Sequence, residues 1–194
     1  GRVIFPLRNP DGQVVGFSAR RMKNDDTAKY INSPETVIFH KGSTLYNYSE
    51  AKKTAHRDEY VYLLEGFMDV MALNSIGINS AVALMGTALT QDHIALLRKL
   101  GTKEIRVCLD GDNAGQEGMM KITSLLNKAG LSHRIVAYGD DLRDPDEILQ
   151  ESGAEALKER MNNLIPFFDF QLNYYLNIKK LNTIEDKRKV LNYF

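Results

Sequence analysis

Between residues 60 and 138, four short apolar runs alternate with three stretches of helical periodicity, and this restricts the fold more than any other feature of the chain. The runs are Tyr60-Val61-Tyr62-Leu63-Leu64, Asn79 to Leu84, Glu104 to Leu109 and His133 to Tyr138. The helical stretches are expected at about 68–76, from Thr90 to Leu100, and from about Ala114 to Ala129. Thr90 or its neighbour supplies an N-cap for the second, and Gly130 a C-cap for the third. Strands that alternate with helices of this length imply right-handed crossovers and a parallel sheet flanked by helices.

The flanks read differently. Val3-Ile4-Phe5-Pro6-Leu7 and Val14-Val15-Gly16-Phe17 are strand-like, with the turn Asn9-Pro10-Asp11-Gly12 between them, which is a hairpin signal. Residues 21–45 are polar and turn-rich and read as a long loop, a class of segment that often carries function. A short helix is expected around 47–56. Residues 145–162 look helical, Pro166 sits near the start of a helix running to about Lys180, and Thr183 opens a last one. Three parts are therefore expected: a basic, β-rich part at 1–58, an α/β part at 59–144 and a helical part at 145–194. Because the chain opens inside its first strand, it is expected to be cut from a larger protein.

Formal net charge is zero, but it is unevenly spread: residues 1–58 carry +4, residues 59–163 carry −6 and residues 164–194 carry +2. A basic part beside an acidic one suits contact with an anion on one side and collection of cations on the other; a chance fluctuation of this size is the alternative. Cys108 is the single cysteine, and His40, His56, His93 and His133 show no ligand spacing, so no zinc site is expected. No apolar run approaches the roughly 18–20 residues of a membrane span, and no signal-peptide layout is present. These features fit a cytoplasmic protein without membrane partners.

The acidic residues are not scattered. In open parallel sheets ligands bind at the carboxyl ends of the strands, and three of the expected strands end in acids: Glu65 after the first, Asp110-Gly111-Asp112 after the third, and Asp140, Asp141, Asp144 and Asp146 after the fourth. Clustered carboxylates repel one another unless a cation neutralises them. Oxygen donors without His or Cys suit Mg²⁺ or Mn²⁺. In Asp-Gly-Asp the glycine admits unusual backbone angles that let both carboxylates turn toward one ion. Such sites hold phosphates with the metal and perform phosphoryl transfer. For this to work, the strands carrying Glu65 and Asp110 should be neighbours, with ends about 4.8 Å apart. A solvated turn after each strand is the bland alternative. Met85-Gly86-Thr87-Ala88 ends the second strand on the same edge and either offers backbone N–H groups to a phosphate or is an ordinary turn. Asp69 is read as a support for the acidic site or as a helix-start acid. Cys108, and Phe167, Phe168, Phe170, Leu172 and Tyr175, are read as core.

A glutamate after the first strand and an Asp-X-Asp after the third resemble the TOPRIM fold of topoisomerases, primases and some nucleases. Arg2-Val3-Ile4-Phe5-Pro6-Leu7, Gly16-Phe17-Ser18-Ala19-Arg20, Lys29-Tyr30-Ile31-Asn32-Ser33-Pro34-Glu35-Thr36, Phe39-His40-Lys41-Gly42 and Glu65-Gly66-Phe67-Met68-Asp69-Val70 are similar, in order, to segments of the bacterial replicative primases. The resemblance runs from Arg2 to about Glu147 and is loose thereafter. It implies a TOPRIM-type, mostly parallel sheet, preceded by a β-rich basic segment and followed by part of a small helical subdomain. It implies an enzyme that makes RNA primers from NTPs on single-stranded DNA by two-metal nucleotidyl transfer, with the replicative helicase as partner through a C-terminal domain absent from this chain. The family's zinc-binding domain and the first part of its catalytic core are absent as well. By the same resemblance Glu65, Asp110 and Asp112 are metal ligands, Asp144 and Asp146 support the metals or the nucleotide, with Asp144 counted among the ligands, and Arg20, Lys29, Tyr30, Asn32 and Lys41 contact nucleotide or template. A TOPRIM nuclease or topoisomerase and a non-catalytic nucleotide- or nucleic-acid-binding module are the competing readings. A phosphatase with an aspartate nucleophile accounts for neither Glu65 nor the basic motif.

Overall fold

The computed structural model describes residues 1–23, 28–86, 88–139 and 141–178, together with Arg188. The helix expected from Thr183 lies outside these residues, as do Thr87, Asp140 and the expected helix end at Lys180.

The strands of the described residues form two sheets. The first is antiparallel, in the order β1 (Arg2–Arg8), β2 (Val14–Arg21) and β3 (Tyr30–Asn32). The expected hairpin forms β1 and β2. Its turn is closed by Asn9, whose side-chain oxygen accepts from the Asp11 and Gln13 N–H groups at 3.1 and 2.9 Å. Strand β3 lies in the stretch read as a loop: three residues are too few to show alternation, and pairing with the edge of β2 makes them a strand. A single 3₁₀ turn, Lys41–Ser43, and helix α1 (Tyr48–Asp58) follow.

The second sheet has the order β5-β4-β6-β7-β8. Its strands are β4 (Tyr60–Leu64), β5 (Ala81–Ala83), β6 (Glu104–Cys108), β7 (His133–Val136) and β8 (Leu164–Pro166). The first four pair in parallel as expected, each expected bound being trimmed by up to two residues. Strand β8 is an antiparallel edge strand that the sequence reading missed. Pro166 is the last residue of that strand and stands directly before the helix that opens at Phe167, near a helix start as expected, and a proline at a sheet edge costs no ladder bond. Helices α2 (Phe67–Ser75), α3 (Gln91–Lys99), α4 (Asn113–Lys128), α5 (Pro145–Asn162) and α6 (Phe167–Ile178) are the remaining elements among the described residues. Helix α5 kinks at Gly153, whose φ of 85° is non-helical. Thr90 is the N-cap of α3, accepting from His93 N–H, and α4 stops at Gly130 with φ 66°.

The sheet is buried on both faces, because successive residues of each strand point opposite ways. Val61, Leu63, Val107 and Ile135 pack with Tyr48 and Ala51 of α1, Leu97 of α3, and Met119, Ile122 and Leu126 of α4. On the other face Tyr62, Leu64, Cys108 and Val136 pack with Val70 and Leu73 of α2 and Leu157 and Met161 of α5. Phe170 of α6 is core, whereas Phe168 is 54% exposed, so the aromatic run at 167–175 is only partly core.

The small sheet docks onto the large one through aromatic rings. Phe5, Tyr30 and Tyr46 stand 4.7, 5.3 and 5.6 Å from the ring of Phe67 at the start of α2. Tyr46 also bridges Ala83 on the free edge of β5 through paired backbone bonds. This docking carries the basic segment to the carboxyl ends of the parallel strands.

Candidate functional site

Leu64 and Cys108 are register partners at the ends of adjacent strands, so Glu65 follows one end directly and Asp110 lies two residues past the other, near enough for the Glu65 charge to act on it. The chain after β4 turns into α2 on one face, and the chain after β6 turns into α4 on the other. Loops that diverge in this way open a crevice outside the strand ends, the place where α/β sheets bind ligands. A cleft of about 270 Å³ lies there, lined by Glu65, Asp69, Asp110, Asp144 and Asp146 from the large sheet, and by Lys29, Tyr30 and Asn32 from the small one. Met85 and Gly86 form part of its wall, with φ values of 57° and 76°.

The acids have different situations. Burial and the neighbouring Glu65, Asp144 and Asp112 push the Asp110 carboxyl up to about 6. Asp69, 6% exposed, is pushed up to about 7 by burial first and then by Asp144 and Asp110. Its two oxygens accept from the backbone N–H groups of Gly66 at 3.1 Å and Asp146 at 3.4 Å, so it ties the start of α2 to the start of α5. Asp69 is thus a member of the site. The sequence signal for it was its place four residues after Glu65, which does not separate a site acid from a helix-start acid. Asp144 caps α5, accepting from Glu147 N–H at 2.7 Å. Asp146 faces Arg20 of the small sheet at 3.8 Å.

Asp112 behaves otherwise. It is exposed, stands outside the cleft lining, and caps α4 by accepting from Gly115 N–H at 2.7 Å. The expected role of Gly111 also changes. It is absent from the residues with positive φ, and a Cβ there would stand 2.6 Å from the Leu142 carbonyl oxygen. Glycine is needed for close approach of two loops, not for unusual angles. Only Asp110 of the Asp-Gly-Asp run lines the cleft.

On the basic side, Arg20 and Lys29 stand 5.9 and 5.6 Å from the centre of the Tyr30 ring. Burial, opposed by Arg20, raises the Tyr30 hydroxyl pKa. Asn32 reaches the cleft, whereas Lys41 lies in the 3₁₀ turn and is not part of its lining. Cys108 is buried beneath the site with its thiol pKa pushed far up by burial, an inert core position as read.

Among the described residues, no three acids, histidines or thiols already stand together as a metal-binding group. The donor chemistry nonetheless suits a hard cation. The cleft acids offer oxygen alone, and the values at Asp110 and Asp69 are raised by burial first and by the neighbouring carboxylates second, both of which a bound cation offsets. Asp112 and Asp144 each keep lone pairs free of their capping bonds.

Residues 62–149 match the Toprim-like family, and residues 1–52 match the DNA primase catalytic core, N-terminal domain family. The chain belongs to the DNA primase family. It is 38% identical over 187 residues to the DNA primase of Listeria innocua, covering 96% of this chain and 30% of that protein. Against the DNA primase of Escherichia coli K12 the figures are 38% over 191 residues, 97% and 32%. The chain therefore spans about a third of the length of these primases. Among solved structures, the DnaG catalytic core superposes with a TM-score of 0.83 at 37% identity, covering 99% of this chain and 62% of that one. The DnaG primase catalytic domain bound to single-stranded DNA gives 0.81 at 38% identity, with the same coverages. The mixed α/β fold with a mostly parallel five-stranded sheet is that of the primase core. Among the described residues no helix is long and apolar enough to cross a membrane.

Proposed function

We propose that this chain forms the metal- and nucleotide-handling part of a primase active centre, which makes RNA primers from NTPs on single-stranded DNA. The observation that carries the reading is the pairing of Glu65 and Asp110 on adjacent strand ends, inside a cleft whose opposite wall is basic and aromatic. The primase relatives support it, one of them a catalytic domain solved with single-stranded DNA.

In the proposed reaction the 3′-hydroxyl oxygen of the primer bonds to the α-phosphorus of the next NTP. The bond from that phosphorus to the β-phosphate bridging oxygen breaks, pyrophosphate leaves, and the hydroxyl proton passes to solvent. Glu65, Asp110 and Asp112 are assigned as holders of Mg²⁺ or Mn²⁺, with Asp144 and Asp146 supporting them. Bound there, divalent ions lower the pKa of the attacking hydroxyl and neutralise charge on the leaving group. Asp69 orients Gly66 and the Asp146 backbone, so it holds the Glu65 and Asp146 loops at a fixed spacing. Arg20, Lys29 and Lys41 contact phosphates of nucleotide or template, giving affinity rather than sequence reading. Tyr30 and Asn32 contact the nucleotide. The ranges 1–58, 59–144 and 145–194 are proposed as the basic, metal-binding and helical parts. The template, the primer and NTPs are the proposed partners, with the replicative helicase engaged through a region outside this chain, and the cytoplasm is the proposed compartment.

Primer synthesis on single-stranded DNA with Mg²⁺ or Mn²⁺ tests this. Asp110→Ala and Glu65→Ala should each lower the rate at least about 100-fold, the scale of losing an electrostatic contact made in the transition state, with the circular dichroism spectrum unchanged. Normal rates in either variant rule out that residue's assignment.

A further inference from the structure

Lys41 stands outside the cleft, yet its backbone is held from both sides. Glu35 accepts from the Lys41 N–H at 3.0 Å, and its other oxygen meets His40 Nδ1 at 2.8 Å. The remaining contacts come from the first turn of α3, in the other sheet's layer. His93 Nε2 stands 2.9 Å from the Lys41 carbonyl oxygen, and the Thr90 hydroxyl donates to the Gly42 carbonyl at 2.5 Å. Within α3, His93 Nδ1 accepts from Thr90 N–H at 3.3 Å, and Thr90 Oγ1 accepts from His93 N–H at 3.1 Å.

These bonds leave one arrangement of protons. Nδ1 accepts, so Nε2 carries the hydrogen and donates to Lys41. The ring is fully buried, and burial lowers its pKa, consistent with a neutral imidazole. A capping box ordinarily uses Glu or Gln at the third helical position. Histidine here does the capping with one nitrogen and leaves the other to reach 52 residues back along the chain.

We infer that Thr90 and His93 are positioning residues that clamp the Lys41-Gly42 backbone onto the metal-binding half, so that Lys41 meets nucleic-acid phosphate at a set place. The inference rests on the proposed phosphate contact of Lys41. Helix α3 follows Met85 and Gly86, which line the cleft, so the clamp spans the two halves on the same sheet edge as the carboxylates. An apolar residue at 93 would remove the donor from α3 and leave the half-buried Lys41 carbonyl with only the local Thr44 N–H at 3.2 Å.

The test is the salt dependence of binding to a single-stranded DNA oligonucleotide by fluorescence anisotropy, with the variants placed in the intact protein. Each phosphate contact contributes about 0.7 to the slope of log affinity against log salt for single strands. Lys41→Ala should lower the slope by about 0.7, and His93→Ala should do the same. The double variant should lose no more than either alone. Thr90→Val should behave as His93→Ala, whereas Thr90→Ser, which keeps the hydroxyl, should bind as wild type. Thr90→Val provides a second route should His93→Ala not fold. Folded His93→Ala or Thr90→Val proteins with the wild-type slope, beside a lowered slope for Lys41→Ala, overturn the clamp and leave the primase reading intact. A wild-type slope in Lys41→Ala removes both the lysine's phosphate role and the clamp. Primer synthesis by the wild type, and its loss in Asp110→Ala, separately report whether the primase reading holds.

Discussion

Asp69 and Asp110 show how much chemistry sits in single side chains that the sequence only half announces. A carboxyl held at about 7 or about 6 stays protonated in the folded chain at pH values where the unfolded chain has lost the proton. The folded state therefore binds more protons between the unfolded value, about 4, and these raised values. The two groups favour the fold below pH 4, and that contribution fades as pH rises through 6 and 7. Asp69→Asn removes the effect at its source, so in metal-free buffer its melting temperature should rise relative to wild type between pH 4 and pH 8. Added Mg²⁺ should stabilise wild type most at the upper end of that range, where the carboxylates are ionised. Parallel melting curves for the two proteins across the range would defeat this account of Asp69. Glu65 and Asp110 were legible because acids at strand ends have a physical reason to be there. The burial of Asp69 was not, because the loop of Asp146 that covers it comes from 77 residues away.

Helix starts set the loops of this site. Asp112 begins α4, Asp144 begins α5 and Thr90 begins α3, each accepting a backbone N–H. A capping carboxylate both holds its helix and presents charge, and the two roles can be separated. Asn caps about as well as Asp, whereas Ala costs about 1 kcal/mol at such a position. Asp112→Asn should therefore keep the wild-type melting temperature and lower primer synthesis, while Asp112→Ala should lower both. Full activity in Asp112→Asn would mean that its charge has no part in the reaction and that it is a cap only. The parallel strands and their helices were legible from residue 60 onward because buried runs such as Tyr60–Leu64 and the cap at Thr90 are local signals. Strands β3 and β8 were not: each has three residues, and each is a strand only because an edge lies beside it. The Asp-Gly-Asp run was legible as a feature of the site but not in detail, since the contact that demands Gly111 is with the Leu142 backbone 31 residues on.

At the scale of the molecule, the candidate site depends on the small sheet packing against the start of α2 beside the large sheet. Phe67 gathers Phe5, Tyr30 and Tyr46 around itself, and Arg20 faces Asp146 across the cleft, so the basic wall and the acidic wall are set by one packing arrangement. Of the uneven charge along the chain, Lys29 on one side and Glu65, Asp69, Asp110, Asp144 and Asp146 on the other come together in the cleft. That relation was visible in the sequence only as a sign change near residue 59; the docking of one sheet on the other depends on rings far apart in the chain. The central claim is that acids from separate strand ends hold divalent cations against a triphosphate. Its most direct measurement is Mn²⁺ binding, followed by electron paramagnetic resonance with and without NTP, in wild type and Asp110→Ala. The account predicts saturable binding that NTP strengthens in wild type and that Asp110→Ala loses. Equal Mn²⁺ binding by the two proteins in the presence of NTP would contradict it.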